Sequence, residues 1–376
     1  MMKDPVSTEL LREIILRGPV TRAELAERTN LSLPSLTRLL KGALEAGLVQ
    51  EAEEVPDGKR GRPTKPISFN PSGGFTFGVK LTGVDATVVA VNLAGEILTQ
   101  TSESLVSQDP QDVAAQIGEV IKGLQAELTH RGIFLGVGVG VAGSVSAEGV
   151  VHRGTFLGWR DVDFTSILAD YVDVPVVVEN DVVALTTYEH WFGVAKGLQH
   201  FAVVTIGTGI GHGLVVFDQV VSGLDAGAGL IEHLPLDNCG PVCHLGHRGC
   251  ASALLTLDAL STQYSLARQS PQTFETLMEG YRNADPAALA IIEPAAEALG
   301  KLIASAANLG ICATVVLAGD GVEIWDAAEG AVRGAIIRWR TQGTTPVDVR
   351  VERAGFTVWS VGAAALALQE AFTPQR

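Results

Sequence analysis

Phe201-Ala-Val-Val-Thr-Ile-Gly-Thr-Gly-Ile-Gly-His-Gly-Leu-Val-Val-Phe217 is two apolar runs joined by a turn, with glycines at 207, 209, 211 and 213. Short runs rich in β-branched residues on either side of such a turn predict strand–turn–strand. Glycines there let backbone N–H groups approach phosphate oxygens, although a tight hairpin alone accounts for them equally well. The same pattern occurs upstream. Phe75-Thr-Phe-Gly-Val-Lys-Leu-Thr-Gly83 reads as a strand and turn, and Ala86 to Asn92 as a second strand. A turn at 93–96 and a third strand, Ile97 to Thr101, complete a β-meander. A helix from about Pro110 to Arg131, then strands at Gly136 to Val141 and Val174 to Glu179, follow it. Duplicated strand–turn–strand units with intervening helices predict an α/β body with a cleft between two lobes.

Upstream of the body, three short helical patterns run in succession. Leu10, Leu11, Ile14 and Ile15 share one face of a first helix that stops at Gly18-Pro19. Thr21-Arg-Ala-Glu24 is a capping box opening a second, which ends by Asn30. A third begins at Ser32 to Pro34, turns Leu36, Leu39, Leu40 and Ala43 inward, and stops at Gly47. This order predicts a helix-turn-helix whose third helix enters a DNA major groove, with a three-helix bundle lacking any ligand as the alternative. Its outward residues near the N-terminal end, Ser35, Thr37, Arg38 and Lys41, are hydroxyls and cations suited to phosphates and base edges.

The next stretch favours the DNA reading. Alternation over 48–52 and again at Ile67-Ser-Phe69 predicts a β-hairpin wing. Its returning arm carries Lys59, Arg60, Gly61, Arg62, Pro63 and Lys65. Arg-Gly-Arg-Pro is extended and narrow, a shape that fits a minor groove, where arginine favours narrow A·T-rich tracts.

Charge is distributed to match. The 376 residues carry a net charge of −15, but residues 1–70 hold 11 Lys/Arg against 10 Asp/Glu and the remainder 16 against 32. An acidic body repels phosphates, which leaves the head to approach nucleic acid. No basic-then-apolar leader begins the sequence, and the apolar runs are broken by glycines, so a cytoplasmic protein without a membrane partner is expected. Four cysteines are too few for a disulfide framework. Cys239, Cys243 and Cys250 lie within twelve residues among histidines, a metal-like grouping, whereas Cys312 sits alone in the apolar segment Ile311 to Leu317.

Taken together, these segments resemble the ROK family (repressor, open reading frame, kinase). The resemblance rests on the winged head with Gly-Arg-Pro, Gly140-Val-Ala-Gly143, Leu157-Gly-Trp159, Val178-Glu-Asn-Asp181 and the Gly207 to Gly213 turn. It extends through Ala228-Gly229 with His233, Gly246 to Cys250, Gly319-Asp-Gly321 and Val361-Gly-Ala-Ala364. It implies an actin-like, hexokinase-type two-lobed body and frequent dimers or tetramers. The expected layout is a winged helix-turn-helix at 1–70, a first lobe at 71–190 and a second at 191–376.

The resemblance places Asp181 at the kinase base position and Asn180 at a neighbouring sugar contact, and several positions depart from it. Lys80 stands where the first phosphate loop of the kinases has an aspartate. Phe156, Leu230 and Ser252 replace an asparagine and two glutamates that hold sugar hydroxyls, which disfavours an ordinary hexose. The family's zinc site matches His233, Cys243 and Cys250, but its middle ligand is Leu245. Zinc prefers four ligands, so Cys239 is the first choice of substitute, with His247 and His244 as alternatives and a metal-free loop as the bland outcome.

These observations lead to an expected DNA-binding regulator, a repressor acting on a double-stranded operator. Its kinase-like domain is expected to be degenerate and not an enzyme, with a sugar-like or other small effector read by Asn180, Asp181 and His233. Zinc is expected at His233, Cys243, Cys250 and Cys239, with no ATP requirement. The alternatives are an active ATP-dependent sugar kinase with a regulatory head, and a regulator with no effector.

Overall fold

Capping residues set the start of the head's second and third helices. The first helix, α1, is Pro5–Arg17, and α2, Arg22–Arg28, starts on Thr21. The Thr21 hydroxyl accepts the Glu24 N–H at 3.3 Å while the Glu24 carboxylate accepts the Thr21 N–H at 2.9 Å, the predicted capping box. The third, α3, is Leu33–Glu45; it opens on the Ser32 hydroxyl, carries Pro34 in its first turn and buries Leu36, Leu40 and Ala43. Strands β1 (Val49–Glu51) and β2 (Ile67–Phe69) pair antiparallel, Val49 opposite Phe69, as the base of the predicted wing. The computed structural model describes residues 5–52, 65–226 and 229–372, so Lys59, Arg60, Gly61 and Arg62 lie outside the described residues.

The chain forms two compact units, Met1–Gly197 with Thr357–Arg376, and Leu198–Phe356. In the first, β3 (Gly74–Leu81), β4 (Asp85–Asn92) and β5 (Ile97–Ser104) make the predicted meander. Helix α4 (Pro110–Glu127) leads to β6 (Ile133–Val141). A small antiparallel sheet of β7 (Gly143–Val145), β8 (Val150–Gly154) and β9 (Arg160–Asp163) follows. Then come α5 (Phe164–Ala169), β10 (Val176–Asn180) and α6 (Asp181–Trp191). The main sheet runs β10-β6-β3-β4-β5, with β3, β6 and β10 parallel.

The second unit repeats this order. Strands β11 (Phe201–Ile206), β12 (Ile210–Val216) and β13 (Gln219–Val220) are followed by four helices. These are α7 (Ala251–Leu255), α8 (Leu257–Arg268), α9 (Phe274–Arg282) and α10 (Pro286–Leu309). After them come β14 (Thr314–Ala318), α11 (Val322–Trp339) and β15 (Asp348–Val351). Its sheet, β13-β12-β11-β14-β15, has the connectivity of the first, which makes the duplication seen in the sequence a duplication of topology.

The last helix, α12 (Thr357–Phe372), departs from the expected layout. In place of the expected boundary at 190/191 with the C-terminus in the second lobe, α12 packs in the first unit and the boundary follows Gly197. Alternation along β4 shows why. Val88 and Ala90 pack with Val113 and Ile117 of α4, while Val89 and Val91 meet Val361 and Ala364 of α12 on the opposite face. Helix α12 covers that second face together with Tyr188 and Phe192 at the end of α6. Among the described residues no helix is long and apolar enough to cross a membrane.

Candidate ligand pocket and metal centre

Strands β3, β6 and β10 are parallel and all end at one edge of the first unit's sheet. Ligands of open α/β sheets sit outside such carboxyl ends. Lys80 is near the end of β3, Ala142 and Gly143 follow β6, and Asn180 and Asp181 close β10 and open α6.

Asn180 is fully buried and its side chain is already engaged. Its Oδ1 accepts the N–H groups of Val182 at 2.7 Å and Val183 at 3.3 Å, capping α6, and its Nδ2 donates to the Gly143 carbonyl at 2.8 Å. The residue therefore ties the turn after β6 to the start of α6. Asp181, in the first turn of α6, is buried and forms an ion pair with the Lys80 ammonium, which donates to its Oδ2. The ammonium also lies over the Trp359 ring, 5.5 Å from its centroid. Lys80 thus does more than subtract a carboxylate from the phosphate loop. It puts a cation on one oxygen of the Asp181 carboxylate.

Two further features bear on the pocket. Glu179 is largely buried, and desolvation raises its carboxyl to about 7 against the opposing Asn180 N–H, which donates to Oε1 at 2.7 Å. Phe156 is half exposed on the turn between β8 and β9, beside Gly83, where an added Cβ would lie 2.9 Å from the Phe156 carbonyl oxygen.

In the second unit, the turn after β11 leaves open space. A Cβ on Gly207 or Gly209 would meet nothing within 4 Å, so neither glycine is demanded by packing. Gly319 and Gly321 differ: side chains there would lie 2.3 Å from the Ile206 carbonyl oxygen and 2.2 Å from its side chain. Packing alone accounts for that second turn. Leu230 is exposed, and the Ser252 hydroxyl donates to the Glu232 carboxylate at 3.2 Å.

His233, Cys243, His247 and Cys250 bring their ligand atoms within 4.8 Å of one another. The His233 Nδ1 is 3.7 Å from both sulfurs, close to the N–S edge of about 3.5 Å that tetrahedral zinc imposes. The donor set therefore fits zinc. Cys239, the expected fourth ligand, is exposed and outside the group, its N–H bound to Asp237 Oδ1 at 2.9 Å. His247 lies in the group instead because the chain reverses tightly: Cys243 N–H donates to the His247 carbonyl and Gly246 N–H to the Cys243 carbonyl, both at 2.9 Å. Leu245 and His244 fall at the exposed tip.

Burial holds the His233 imidazole below its ordinary value; His247 and His244 act in the same direction and Glu232 against it. Burial pushes the Cys243 thiol up, but it ends lowered because N–H groups of Leu245, His247 and Gly246 and the Cys250 thiol outweigh burial. Cys250 is raised, mainly by burial.

On the head, Thr37, Arg38 and Lys41 are exposed along α3 and Ser35 is half-buried against the Ser32 cap. Thr37 donates to the Leu33 carbonyl at 2.8 Å, and Lys41 lies 3.7 Å from Glu45 in an exposed pair that holds it only weakly. Sequence reasoning missed His247 as first choice, the bond from Lys80 to Asp181, and Trp359 beneath it. The lysine's sign opposite Asp181 was the one signal available for the pair.

Comparison with known proteins agrees with this architecture. Residues 76–370 match the sequence profile of the ROK family and residues 4–61 that of the MarR family. The chain is 28% identical over 268 residues to the xylose repressor of Bacillus spizizenii, covering 68% of this chain and 67% of that one. It is 25% identical over 337 residues to the DNA-binding transcriptional dual regulator NagC of Escherichia coli, covering 86% and 82%. A solved ROK family transcriptional regulator, described as a homologue of the Escherichia coli MLC protein, superimposes with a TM-score of 0.83 at 21% identity, covering 97% and 96%. With winged head, duplicated sheet and His/Cys loop in place, and its profile matched over most of its length, this chain belongs to the ROK family.

Proposed function

We propose that this protein is a DNA-binding transcriptional repressor whose kinase-like body senses a small molecule and does not transfer phosphate. The observation that carries the choice of regulator over kinase is the ammonium of Lys80 on the Asp181 carboxylate. Phosphoryl transfer to a sugar needs a free carboxylate to receive the hydroxyl proton and a metal-bound nucleotide opposite it. Here one oxygen of that carboxylate is held by an ammonium, and the phosphate-loop carboxylate is replaced by the group that holds it. A ligand's hydroxyl would meet Asp181 in competition with that ammonium.

The relatives named as a xylose repressor and as NagC support a head that binds DNA and an effector of sugar type. In this reading α3 enters the major groove through Ser35, Thr37, Arg38 and Lys41, and Lys59 to Arg62 track the minor groove or phosphates. The protein acts in the cytoplasm as a symmetric oligomer on paired half-sites. Phe156, Leu230 and Ser252 disfavour an unmodified hexose, each lost hydrogen bond costing roughly 1–3 kcal/mol. Zinc would be held by His233, Cys243, His247 and Cys250, supplying a rigid cross-link for the loop.

A genome-wide map of sites occupied by the protein tests the reading: discrete sites beside genes for uptake or breakdown of one carbohydrate are expected, and uniform occupancy would refute it. A coupled assay of ADP release over a sugar panel tests the kinase alternative. Turnover abolished by Asp181→Asn would establish a kinase.

A further inference from the structure

We propose that the Lys80–Asp181 pair is the latch of a mechanical link running through α6 and α12 to the helix-turn-helix head. A hydroxylated ligand competing with Lys80 for Asp181 then acts on the head without touching it.

One ammonium reaches the beginnings of both helices. Lys80 bonds Asp181, the first residue of α6, and lies over Trp359, the third residue of α12. From there the helices extend roughly 16 Å and 20 Å, at a rise of about 1.5 Å per residue. Backbone packing leaves them no slack. A Cβ on Gly78 of β3 would lie 1.8 Å from the Ser360 carbonyl oxygen, and one on Gly138 of β6 1.8 Å from that of Ala363. One on Gly362 would lie 2.2 Å from the Ala184 carbonyl oxygen of α6. Where backbones meet directly, a displacement cannot be absorbed by a side chain changing rotamer. Helix α6 is buried along nearly its whole length and so moves as one piece.

The far ends of both helices belong to the head's own core. Trp191 of α6 and Leu368, Ala371 and Phe372 of α12 share one buried cluster with Leu10, Leu11 and Ile14 of α1 and with Val49, Ile67 and Phe69. The Phe69 and Phe372 rings are 5.7 Å apart, and the Thr8 hydroxyl donates to the Phe372 carbonyl. The head therefore has no separate core that would let it ignore these helices. Helix α4, on the opposite face of the sheet, takes no part.

The link rests on Asp181 as the ligand-contacting residue, so its test uses neither ligand nor DNA and leaves the DNA-binding reading untouched if it fails. Backbone hydrogen exchange is measured on the full chain as wild type, Lys80→Met and Asp181→Asn. Among amides that exchange by local opening and not by global unfolding, those of α1, the second half of α6 and the second half of α12 are expected to exchange about tenfold faster in each variant, with those of α4 and α10 unchanged. The proposal is overturned if the change stops within the first turns of α6 and α12, if α1 is unmoved, or if α4 loosens equally. Should Lys80→Met fail to fold, Asp181→Asn decides between the same outcomes.

Discussion

Replacing Lys80 by methionine keeps the length of the side chain and removes its charge, leaving Asp181 buried without its cation. The two side chains are only 6% and 11% exposed, so solvent cannot substitute for the lost partner. Breaking such a buried pair from one side costs about 3–5 kcal/mol, whereas replacing both members by apolar residues is often close to neutral. Lys80→Met and Asp181→Leu should therefore each cost about 3 kcal/mol or more, and the double variant much less than their sum. A domain's whole stability is about 5–15 kcal/mol, so each single loss is easily measured. The assay is equilibrium urea unfolding followed by tryptophan fluorescence, to which Trp359, Trp159 and Trp191 of the same unit contribute. A coupling of about 3 kcal/mol is expected from the double-mutant cycle. Single costs below about 1 kcal/mol, or costs that simply add, would refute the reasoning. The Asp181 oxygen would then be available as a base, and the argument for a silent body would lose its support.

Three further outcomes follow from other residues. Burial raises the Glu179 carboxyl from the ordinary carboxylate range to about 7 in the folded protein, so the stability tied to its protonated form is fully present below the unfolded value and lost as pH rises through about 7. Glu179→Gln should be neutral near pH 4.5 and stabilising by about 2–3 kcal/mol above pH 8; a benefit independent of pH in urea unfolding would contradict this. Purified wild type and Cys239→Ala should each retain about one zinc per chain by metal analysis, while His247→Ala binds zinc at least about tenfold more weakly; the reverse order would return the fourth ligand to Cys239. Arg60→Ala with Arg62→Ala should weaken DNA binding and lower its salt slope by about 2, whereas an unchanged slope would remove these arginines from the interface.

Features encoded by neighbours in the chain were legible beforehand. The Thr21–Glu24 box, the Ser32 cap and the strands around Gly207 each depend on a few adjacent residues, and the structure places them within a residue or two of expectation. Features made by distant residues were not. Lys80 and Asp181 are 101 positions apart, so sequence showed a missing carboxylate and not the bond that replaces it. The return of α12 depends on a sheet face that exists only once β3, β4 and β6 are assembled. His247 was ranked below Cys239 because thiolate is the stronger ligand; the reversal at Cys243 and Gly246 decides otherwise by bringing residues four apart together. Asn180 matched a sugar contact, yet capping α6 and bonding Gly143 engage both ends of its amide.

The most direct test of the regulatory account is fluorescence anisotropy of the full chain with a labelled duplex from the region upstream of its own gene, across a salt titration. A scrambled duplex of the same composition serves as control. Preference for the upstream duplex by about 10³-fold or more is expected, with affinity falling steeply and log-linearly with salt as phosphate contacts are screened. Equal affinity for both duplexes, or none for either at low salt, would contradict it.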